Sequence, residues 1–485
     1  MIAAKTRDER AARAATLAAR NTRRAYAVIV GFVLVQLACQ VALLFPALAK
    51  FRVVFRTASF AIAIAALLLI PGRSRTHPSA LFAALVLSIV GLGLFHPTTN
   101  SAAAGVAQIA LYVAILGPIF WVCRLDVTAA VLGRLVLILW LFHTASAAVG
   151  VLQMHYPGRF QPALSDIIAS SEFLQEVSKI TLADGTQTFR PMGLTDAPGG
   201  AAGAGLYCCL FGLGFYLASR SWAVRVAAAA SIVIGLFCIY MSQVRSLLVM
   251  VGVAAAVLTT VLARRGESVR LAGLAVLVPA VVLVSYKWAA AVGGESTVNR
   301  MRTLTERSAS ELYYANRGHF LEHTVMELLP RYPLGAGLGR WGMMHGYFGD
   351  KNAPPDRASI WVEIQWTGWL LDGGLPLIAA YTFAIAIAVR VAYVVAVRSP
   401  PGHPLAVWAS VVLGYDIAAV AVTFNYPLFI SQGGLEFWLL NSVLFAAATA
   451  SSNGVSASVR PKKIVDRVGQ RCSSNVGSAY AGNSQ

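Results

Sequence analysis

Long apolar stretches that recur along the whole chain constrain its fold more than any other feature of the sequence. Crossing the hydrocarbon core of a bilayer takes about 20 apolar residues, and stretches of roughly that length recur from end to end. They are residues 26–48, 54–71, 79–95, 106–123, 128–152, 200–218, 223–241, 245–263, 270–290, 369–397, 404–424 and 429–450. Of the 485 residues, 57% are hydrophobic and only 12% charged, which is not the balance of a soluble domain. The sequence therefore predicts an all-α polytopic integral membrane protein with about 12 transmembrane helices.

The basic residues predict how these helices are oriented. A formal net charge of +18 would suggest nucleic-acid binding in a soluble protein, but here Lys and Arg lie in short segments between the spans, so no nucleic-acid partner is predicted. The basic positions that alternate onto one side are Arg7, Arg10, Arg13, Arg20, Arg23, Arg24, Arg73, Arg75, Arg124, Arg220, Arg225, Arg264, Arg265, Arg270, Arg398, Lys462, Lys463, Arg467 and Arg471. The positive-inside rule makes that side the cytoplasm, with both termini on it. Lys50, Arg52 and Arg56 are an exception, because they would face outward.

Two segments between spans are long, and both lie on the non-cytoplasmic side. The predicted organisation is a cytoplasmic basic leader (1–25), helices one to five (26–152), a loop (153–199), helices six to nine (200–290), a larger loop (291–368), helices ten to twelve (369–450) and a disordered cytoplasmic tail (451–485). Long loops are usually functional. The six cysteines show no C-x-x-C spacing, so neither a disulfide framework nor a zinc site is predicted.

Two arginines near the ends of spans are candidate functional residues. Arg245 stands between spans seven and eight, where a charge close to hydrocarbon is costly unless it is paired or wetted. It could instead snorkel to the interface or pair with Asp416 or Glu436. Arg190 opens a Pro/Gly-rich approach to span six, and such a segment can bring backbone N–H groups and a guanidinium toward an anion. A plain loop-to-helix turn would explain its Pro and Gly equally well.

The larger loop contains a predicted helix over 311–329. Asn316, His319, His323 and Glu327 recur at intervals that place them on one face of this helix, and Arg317 borders that face. The solvated side of an amphipathic helix lying on the bilayer would have the same pattern. The stretch from His319 to His323 matches H-x-x-E-H, but no distal third ligand is evident, so no metal site is predicted.

Two further features of this loop stand closer to span ten. The run Pro333 to Gly339 is glycine-rich, but no strand-to-helix context or Walker lysine supports a phosphate-binding loop, so a compact loop is predicted. Glu363 lies just before the span, where a partly desolvated carboxylate is suited to general-base work. A glutamate at a wet interface among aromatic residues is the alternative.

Taken together, these segments resemble the O-antigen ligase and O-antigen (Wzy-type) polymerase superfamily of bacterial membrane glycosyltransferases. The matching positions are Arg190 with Gly193 and Pro198, Ser242 to Arg245, Arg317, Pro333 with Gly335, Gly337 and Gly339, and Asp372-Gly373-Gly374-Leu375. The resemblance covers roughly residues 145–380, and elsewhere only the pattern of spans. Where ligases usually have a His-Asn pair, this chain has Glu363-Ile364.

The resemblance implies a GT-C-like fold in the bacterial inner membrane, with the active site facing the periplasm and no cofactor. The implied reaction is an inverting, metal-independent transfer of a growing glycan from undecaprenyl pyrophosphate to a sugar hydroxyl of a lipid-linked repeat unit. An O-antigen ligase acting on lipid A core is the first alternative, and a polysaccharide transporter or flippase the second. The implied partners are lipid-linked oligosaccharide donor and acceptor, membrane lipids and a chain-length regulator.

The same resemblance implies roles for individual residues. Arg190 and Arg245, with Arg317 as a third candidate, would bind the pyrophosphate, because a guanidinium can form paired hydrogen bonds with phosphate oxygens. Glu363 is the favoured catalytic base, with His319 and His323 as the other candidates.

Overall fold

The computed structural model describes residues 2–71, 75–164, 166–169, 171–306, 308–400 and 402–458, and their regular secondary structure is almost entirely helical. The α-helices are α1 Ile2–Ala42, α2 Arg52–Leu69, α3 Ala80–Gly93, α4 Ala102–Trp121, α5 Ala129–His155, α6 Asp166–Ala169, α7 Glu172–Val177, α8 Gly200–Ala218, α9 Trp222–Met241, α10 Arg245–Arg264, α11 Ser268–Glu306, α12 Ala309–Tyr313, α13 His319–His323, α14 Leu329–Arg331, α15 Gly342–Phe348, α16 Gln365–Arg398, α17 Pro404–Val422 and α18 Gln432–Ser458.

Shorter elements complete the fold. Two π-helical turns, Tyr314–Gly318 and Thr324–Leu328, join α12, α13 and α14 into one continuous helical segment. Turns of 3-10 helix occupy Pro46–Phe51, Val122–Arg124 and Leu428–Ile430. Strands β1 Lys179–Thr181 and β2 Gln187–Phe189 form one antiparallel hairpin, in which Ile180 pairs with Thr188.

Within the described residues, eleven helices are long and apolar enough to cross a membrane, which makes the chain an all-α multi-pass membrane protein. They are α1 from Ala19 onward, α2, α4, α5, α8 to α11 and α16 to α18. The remaining predicted span, 79–95, corresponds to α3. That helix has 14 residues and rises only about 21 Å, so it is shorter than the hydrocarbon core unless its flanking turns contribute.

Three boundaries differ from those expected. Helix α1 already begins at Ile2, so the basic leader continues into the first span. Helix α11 continues to Glu306, whereas the sequence predicted the span to end at 290. Helix α18 continues to Ser458, into the segment predicted to be a disordered tail, and residues 459–485 of that tail lie outside the described part of the chain.

Connections distant in sequence meet at one end of the helix bundle, here called the loop face and comprising 43–51, 94–101, 156–164, 166–169, 171–199, 242–244, 308–364 and 423–431. The side-chain amide of Asn100 donates to the carbonyl oxygens of Asp350 and Arg357, at 3.1 and 2.9 Å. The hydroxyl of Tyr313 donates to the carbonyl oxygen of Phe424 at 3.4 Å. Arg56 contacts both Asp196 of the first long loop and Tyr347 of the larger loop, so the two long loops lie on the same end of the bundle.

Basic side chains on the opposite end, here called the connector face, hold helix ends together. Nη1 of Arg124 donates to the carbonyl oxygens of Leu67 and Ile70, at 2.9 and 3.0 Å. Nη1 of Arg265 donates to those of Ala396 and Ser399, at 2.8 and 2.9 Å. Arg124 and Arg265, both predicted to be cytoplasmic, thus lie on one face, whereas Arg73 and the tail residues lie outside the described part of the chain.

Arg52 and Arg56, two of the three basic residues predicted to face outward, contact the first long loop. Arg56 forms an ion pair with Asp196, at 2.6 Å, and also donates to the hydroxyl of Tyr347 at 2.9 Å. Nη1 of Arg52 donates to the carbonyl oxygen of Leu164 at 3.1 Å. These contacts explain how positive charge is accommodated on the loop face.

The glycine-rich run of the larger loop docks into a break in α16. Gly373 and Gly374 interrupt that helix, and Gly374 has φ +66°, which a residue with a side chain rarely adopts. The amide of Leu375 donates to the carbonyl oxygen of Pro333 at 2.9 Å, and that of Ala336 to Leu371 at 2.7 Å. The run is a compact loop packed against backbone, and it fixes where the larger loop re-enters the bundle.

The residue before this break is fully held by hydrogen bonds. Asp372 is buried, and its carboxylate accepts from Gln108 at 3.0 Å, Tyr112 at 2.8 Å and the indole of Trp341 at 2.8 Å. A buried carboxylate needs such donors. Asp372 therefore ties α4, α16 and the larger loop together.

Candidate functional site

The first residue of α10 joins three parts of the loop face. Arg245 donates through Nη1 to the hydroxyl of Thr303 at 2.7 Å and through Nη2 to the side-chain oxygen of Asn316 at 2.9 Å. Thr303 belongs to α11, and Asn316 to the first π-helical turn of the larger loop. The turn before α10 contains Gln243, which has φ +56°. Its side-chain amide donates to the hydroxyl of Ser296 on α11 at 2.9 Å. Arg245 is thus held beside the end of α11.

Asp416 and Glu436, the two acidic residues considered as partners for Arg245, form hydrogen bonds inside the bundle instead. The carboxylate of Asp416 accepts from the amide of Asn441 at 2.8 Å. Glu436 accepts from the hydroxyl of Tyr207, and from Gln432 at 3.4 Å. Their hydrogen bonds therefore join α8, α17 and α18 rather than completing the cluster around Arg245.

Two further arginines, Arg190 and Arg300, lie where the first long loop meets α11. Burial and the neighbouring Arg300 both lower the pKa of the Arg190 guanidinium. Among the described residues, neither the Nε atom of Arg190 nor that of Arg300 has a hydrogen-bond partner, although both atoms are buried. Two guanidinium groups that repel one another and keep buried donors unused would be stabilised by an anion between them.

The β-hairpin explains why Arg190 is near Arg300. Arg190 directly follows β2, and its amide donates to the carbonyl oxygen of Ser178 at 3.0 Å. At the hairpin turn, the amide of Ala183 donates to Val292 of α11 at 3.0 Å. This contact lies at the kink of α11, where Gly294 has φ +56° and a Cβ would come within 2.8 Å of Ala183 Cα. The hairpin therefore rests on the kink beyond which Arg300 lies.

The candidate base is paired with the third predicted arginine. Oε2 of Glu363 lies 2.7 Å from Nη1 of Arg317, and the two side chains are 20% and 36% exposed. Oε1 of Glu363 accepts from the indole N–H of Trp361 at 2.8 Å. Arg317 belongs to the same π-helical turn as Asn316, the partner of Arg245. Glu363 therefore lies in the same contact network as Arg245.

The two histidines make their described contacts within their own helical segment. Nδ1 of His319 lies 3.4 Å from the carbonyl oxygen of Tyr314, and its ring packs on Phe320 with 4.0 Å between centroids. Nδ1 of His323 lies 3.1 Å from Oε1 of Glu327, one turn further along. Both histidines are exposed. Arg245 and Asn316 share a hydrogen bond, and Arg317 and Glu363 an ion pair. Because Asn316 and Arg317 are adjacent in the chain, these four residues form one contact network, and the described contacts of the histidines lie outside it.

Among the described residues, no group of three or more His, Cys, Asp or Glu side chains is arranged to hold a metal ion. The arrangement present is a cationic one: Arg190 neighbours Arg300 of α11, Arg245 contacts Thr303 of the same helix, and Arg317 is paired with Glu363. These four arginines are here called the arginine cluster. Such a site can bind an anion through guanidinium groups and can accept a proton at one carboxylate.

Sequence reasoning did not single out Arg300, Thr303 or Trp361. The sequence did contain a signal for Arg300 and Thr303. Small or apolar residues recur at every fourth position, and in the structure all of these are buried: Ala289, Gly293, Thr297 and Met301. This four-residue spacing continues the helix past its predicted end and would have placed Arg300 on it.

In comparisons with known proteins, no family model matches the chain, and no curated protein matches it either. The arginine cluster and Glu363 are therefore the features that indicate a function.

Proposed function

We propose that the chain is a polysaccharide polymerase of the bacterial inner membrane, which transfers a growing glycan from undecaprenyl pyrophosphate to a sugar hydroxyl of a lipid-linked repeat unit. The observation that carries the proposal is the arginine cluster beside Glu363 at the loop face. In that cluster the buried Nε atoms of Arg190 and Arg300 lack hydrogen-bond partners among the described residues. The polymer would be an exopolysaccharide or an O-antigen.

Arginines are suited to this reaction because its leaving group gains negative charge. As the bond between the anomeric carbon and the pyrophosphate oxygen breaks, its electron pair passes to the pyrophosphate, which gains negative charge. Guanidinium groups already in place stabilise that charge without having to reorganise. Arg190, Arg245 and Arg300 would bind the pyrophosphate, and Arg317 would hold Glu363 and reach the same anion. No metal ion is required for this step.

The attacking group requires a base on the opposite side of the anomeric carbon. The acceptor hydroxyl attacks from the face opposite the leaving pyrophosphate, so the configuration at that carbon inverts, and the hydroxyl proton passes to Glu363. Each carboxylate oxygen of Glu363 has one described partner, and a carboxylate oxygen has lone pairs for a second hydrogen bond. His319 and His323 are the other candidates for this role.

The loop face would be periplasmic and the connector face cytoplasmic, with both termini in the cytoplasm. Support comes from the arginines of the connector face, since cytoplasmic loops are enriched in Lys and Arg. The lipid carrier would then approach the cluster from the outer leaflet. We further propose a GT-C-like relationship for the fold, and a chain-length regulator as a partner at the loop face.

Glu363 is the residue that tests this proposal. We expect Glu363→Gln to keep normal protein levels and to abolish polymer, because the amide has nearly the same shape but does not take up a proton. Glu322→Gln is the matched control, since Glu322 lies on the same loop and accepts from Tyr314 instead. The measurement is polymer yield, by gel, from a deletion strain carrying each variant. Polymer at wild-type yield from Glu363→Gln overturns the role given to this base.

The same deletion strain separates the polymerase from the two alternatives. A polymerase defect leaves single repeats on the final acceptor and removes long chains. A ligase defect instead accumulates long polymer that remains on its lipid carrier. A transporter or flippase defect leaves repeats on the cytoplasmic side of the membrane. Either of the last two results overturns the assignment as a polymerase.

A further inference from the structure

The segment that leads into α16 presents two side chains on one side. Ile360 and Val362 pack against a buried cluster of Ala336, Trp341 and Leu371, and Ile364 is fully buried. In extended backbone, alternate side chains point to opposite sides, and Ile364 has extended φ and ψ values of −124° and 153°. Trp361 and Glu363 consequently lie together on the opposite, outward side.

Trp361 is largely exposed and donates a hydrogen bond to the candidate base. Its side chain is 72% exposed, yet its indole N–H donates to Oε1 of Glu363 at 2.8 Å. The hydrogen bond fixes the edge of the ring against the carboxylate and leaves much of the ring surface open. Trp, with an apolar ring and one polar N–H, is enriched at binding interfaces and at membrane–water interfaces, where one end is apolar and the other wet.

We propose that Trp361 binds the acceptor sugar, with one face of its indole against the C–H-rich face of a pyranose ring. This inference rests on the proposed function, because it places the acceptor at the same site. The C–H groups of a sugar carry partial positive charge, and the face of an indole carries partial negative charge. A ring stacked on Trp361 would hold its hydroxyl next to Glu363, since both residues share one side of the segment.

The hydrogen bond to Glu363 gives Trp361 a second role, as a positioning residue. The bond leaves Oε1 with a remaining lone pair for the acceptor proton and limits rotation of the carboxylate. The ring and the N–H therefore act on different quantities: the ring on acceptor binding, and the N–H on the geometry of the base. Two substitutions separate these roles.

Trp361→Ala removes both ring and N–H, whereas Trp361→Phe keeps an aromatic face and removes only the N–H. The assay uses purified full-length protein and the undecaprenyl-pyrophosphate-linked repeat unit isolated from a strain lacking this gene, with rate followed against its concentration. We expect Trp361→Ala to raise KM about tenfold, the factor that corresponds to about 1.4 kcal/mol. We expect Trp361→Phe to lower kcat while keeping KM within about twofold of the wild type, since ring stacking is retained.

Trp222→Ala is the control, because Trp222 is 77% exposed at the start of α9 on the connector face. It should leave both constants unchanged. A wild-type KM in Trp361→Ala overturns the acceptor role, and the melting temperature of each variant identifies any loss caused by unfolding. Glu363→Gln assayed in parallel keeps the two proposals apart. An inactive Glu363→Gln with normal KM in Trp361→Ala rejects only the acceptor role, whereas an active Glu363→Gln rejects the proposed base.

Discussion

At the scale of single residues, the proposed chemistry depends on arginines that lack a matching negative charge among the described residues. Arg302 and Arg300 are two residues apart on α11, but their surroundings differ. Arg302 is exposed and pairs with Glu306 at 2.6 Å. Arg300 has a buried Nε atom without a hydrogen-bond partner among the described residues, and its neighbour is another cation, Arg190. Binding an anion would therefore stabilise the surroundings of Arg300 substantially, but not those of Arg302.

We expect Arg300→Ala to raise the KM for the lipid-linked repeat unit about tenfold or more, because a hydrogen bond to a charged group contributes about 1.5–3 kcal/mol. Arg302→Ala, on the same helix end, should leave it unchanged. The measurement is initial polymerisation rate against repeat-unit concentration. Equal effects of the two substitutions would show that the cluster acts only through its overall charge.

The Arg317 and Glu363 pair illustrates what a local pattern misses. Each residue was identified from its surroundings in the sequence, Arg317 beside a polar helical face and Glu363 before a span. That they contact each other follows from the π-helical turn that contains Arg317 and from the extended segment that contains Glu363. Neither conformation follows from an i, i+3, i+7 spacing, because a π-helical turn changes the register of the side chains.

At the scale of elements, the breaks in two helices matter more than their lengths. Helix α11 kinks at Gly294, where the β-hairpin rests, and α16 breaks at Gly373 and Gly374, where the glycine-rich run docks. In each case a loop segment approaches helix backbone so closely that a Cβ would collide with it. The two loops are consequently fixed to the bundle at defined points close to the arginine cluster and to the Glu363 segment.

Gly374→Ala is expected to lower the stability of the protein by about 1–3 kcal/mol, the usual cost of a non-glycine residue held in such a backbone conformation. The new Cβ would also lie 2.5 Å from Leu334 Cα. Thermal unfolding in detergent provides the measurement. Gly91→Ala in α3 serves as the control, because its Cβ would meet no atom within 4 Å, and it should not destabilise. If both variants melt at the same temperature, docking of the run does not depend on this glycine.

At the scale of the whole molecule, the two long loops share one end of the bundle while arginine-rich connectors occupy the other. The contacts of Arg56 with Asp196 and Tyr347, one in each long loop, define the first end, and those of Arg124 and Arg265 the second. A bilayer separates such ends into different compartments. The orientation proposed above can therefore be tested without knowing the substrate.

Phe173→Cys in α7 should react with a membrane-impermeant maleimide in intact cells, because its side chain is exposed at the proposed periplasmic side. Val269→Cys, exposed at the start of α11, should react only after permeabilisation. The five cysteines in the described part of the chain are buried, so only Cys472 needs prior replacement by serine. The measurement is the mass shift of the purified protein. Labelling of Val269→Cys alone in intact cells would reverse the orientation.

The sequence by itself determined the all-α, multi-pass character of the chain, because membrane insertion is a local property. Each span must supply its own apolar length and satisfy its own backbone hydrogen bonds, so the pattern can be read segment by segment. It also identified Arg190, Arg245, Arg317 and Glu363 one at a time, because each charge stands out against apolar or glycine-rich surroundings.

Only the tertiary structure decided which of these residues meet. It placed Arg300 beside Arg190 through the hairpin on the α11 kink, paired Glu363 with Arg317, and left His319 and His323 in contacts within their own helix. The physical reason is that ion pairs and hydrogen bonds between distant segments depend on helix breaks and close backbone approaches. Such features are determined by packing between elements, which no single stretch of sequence contains.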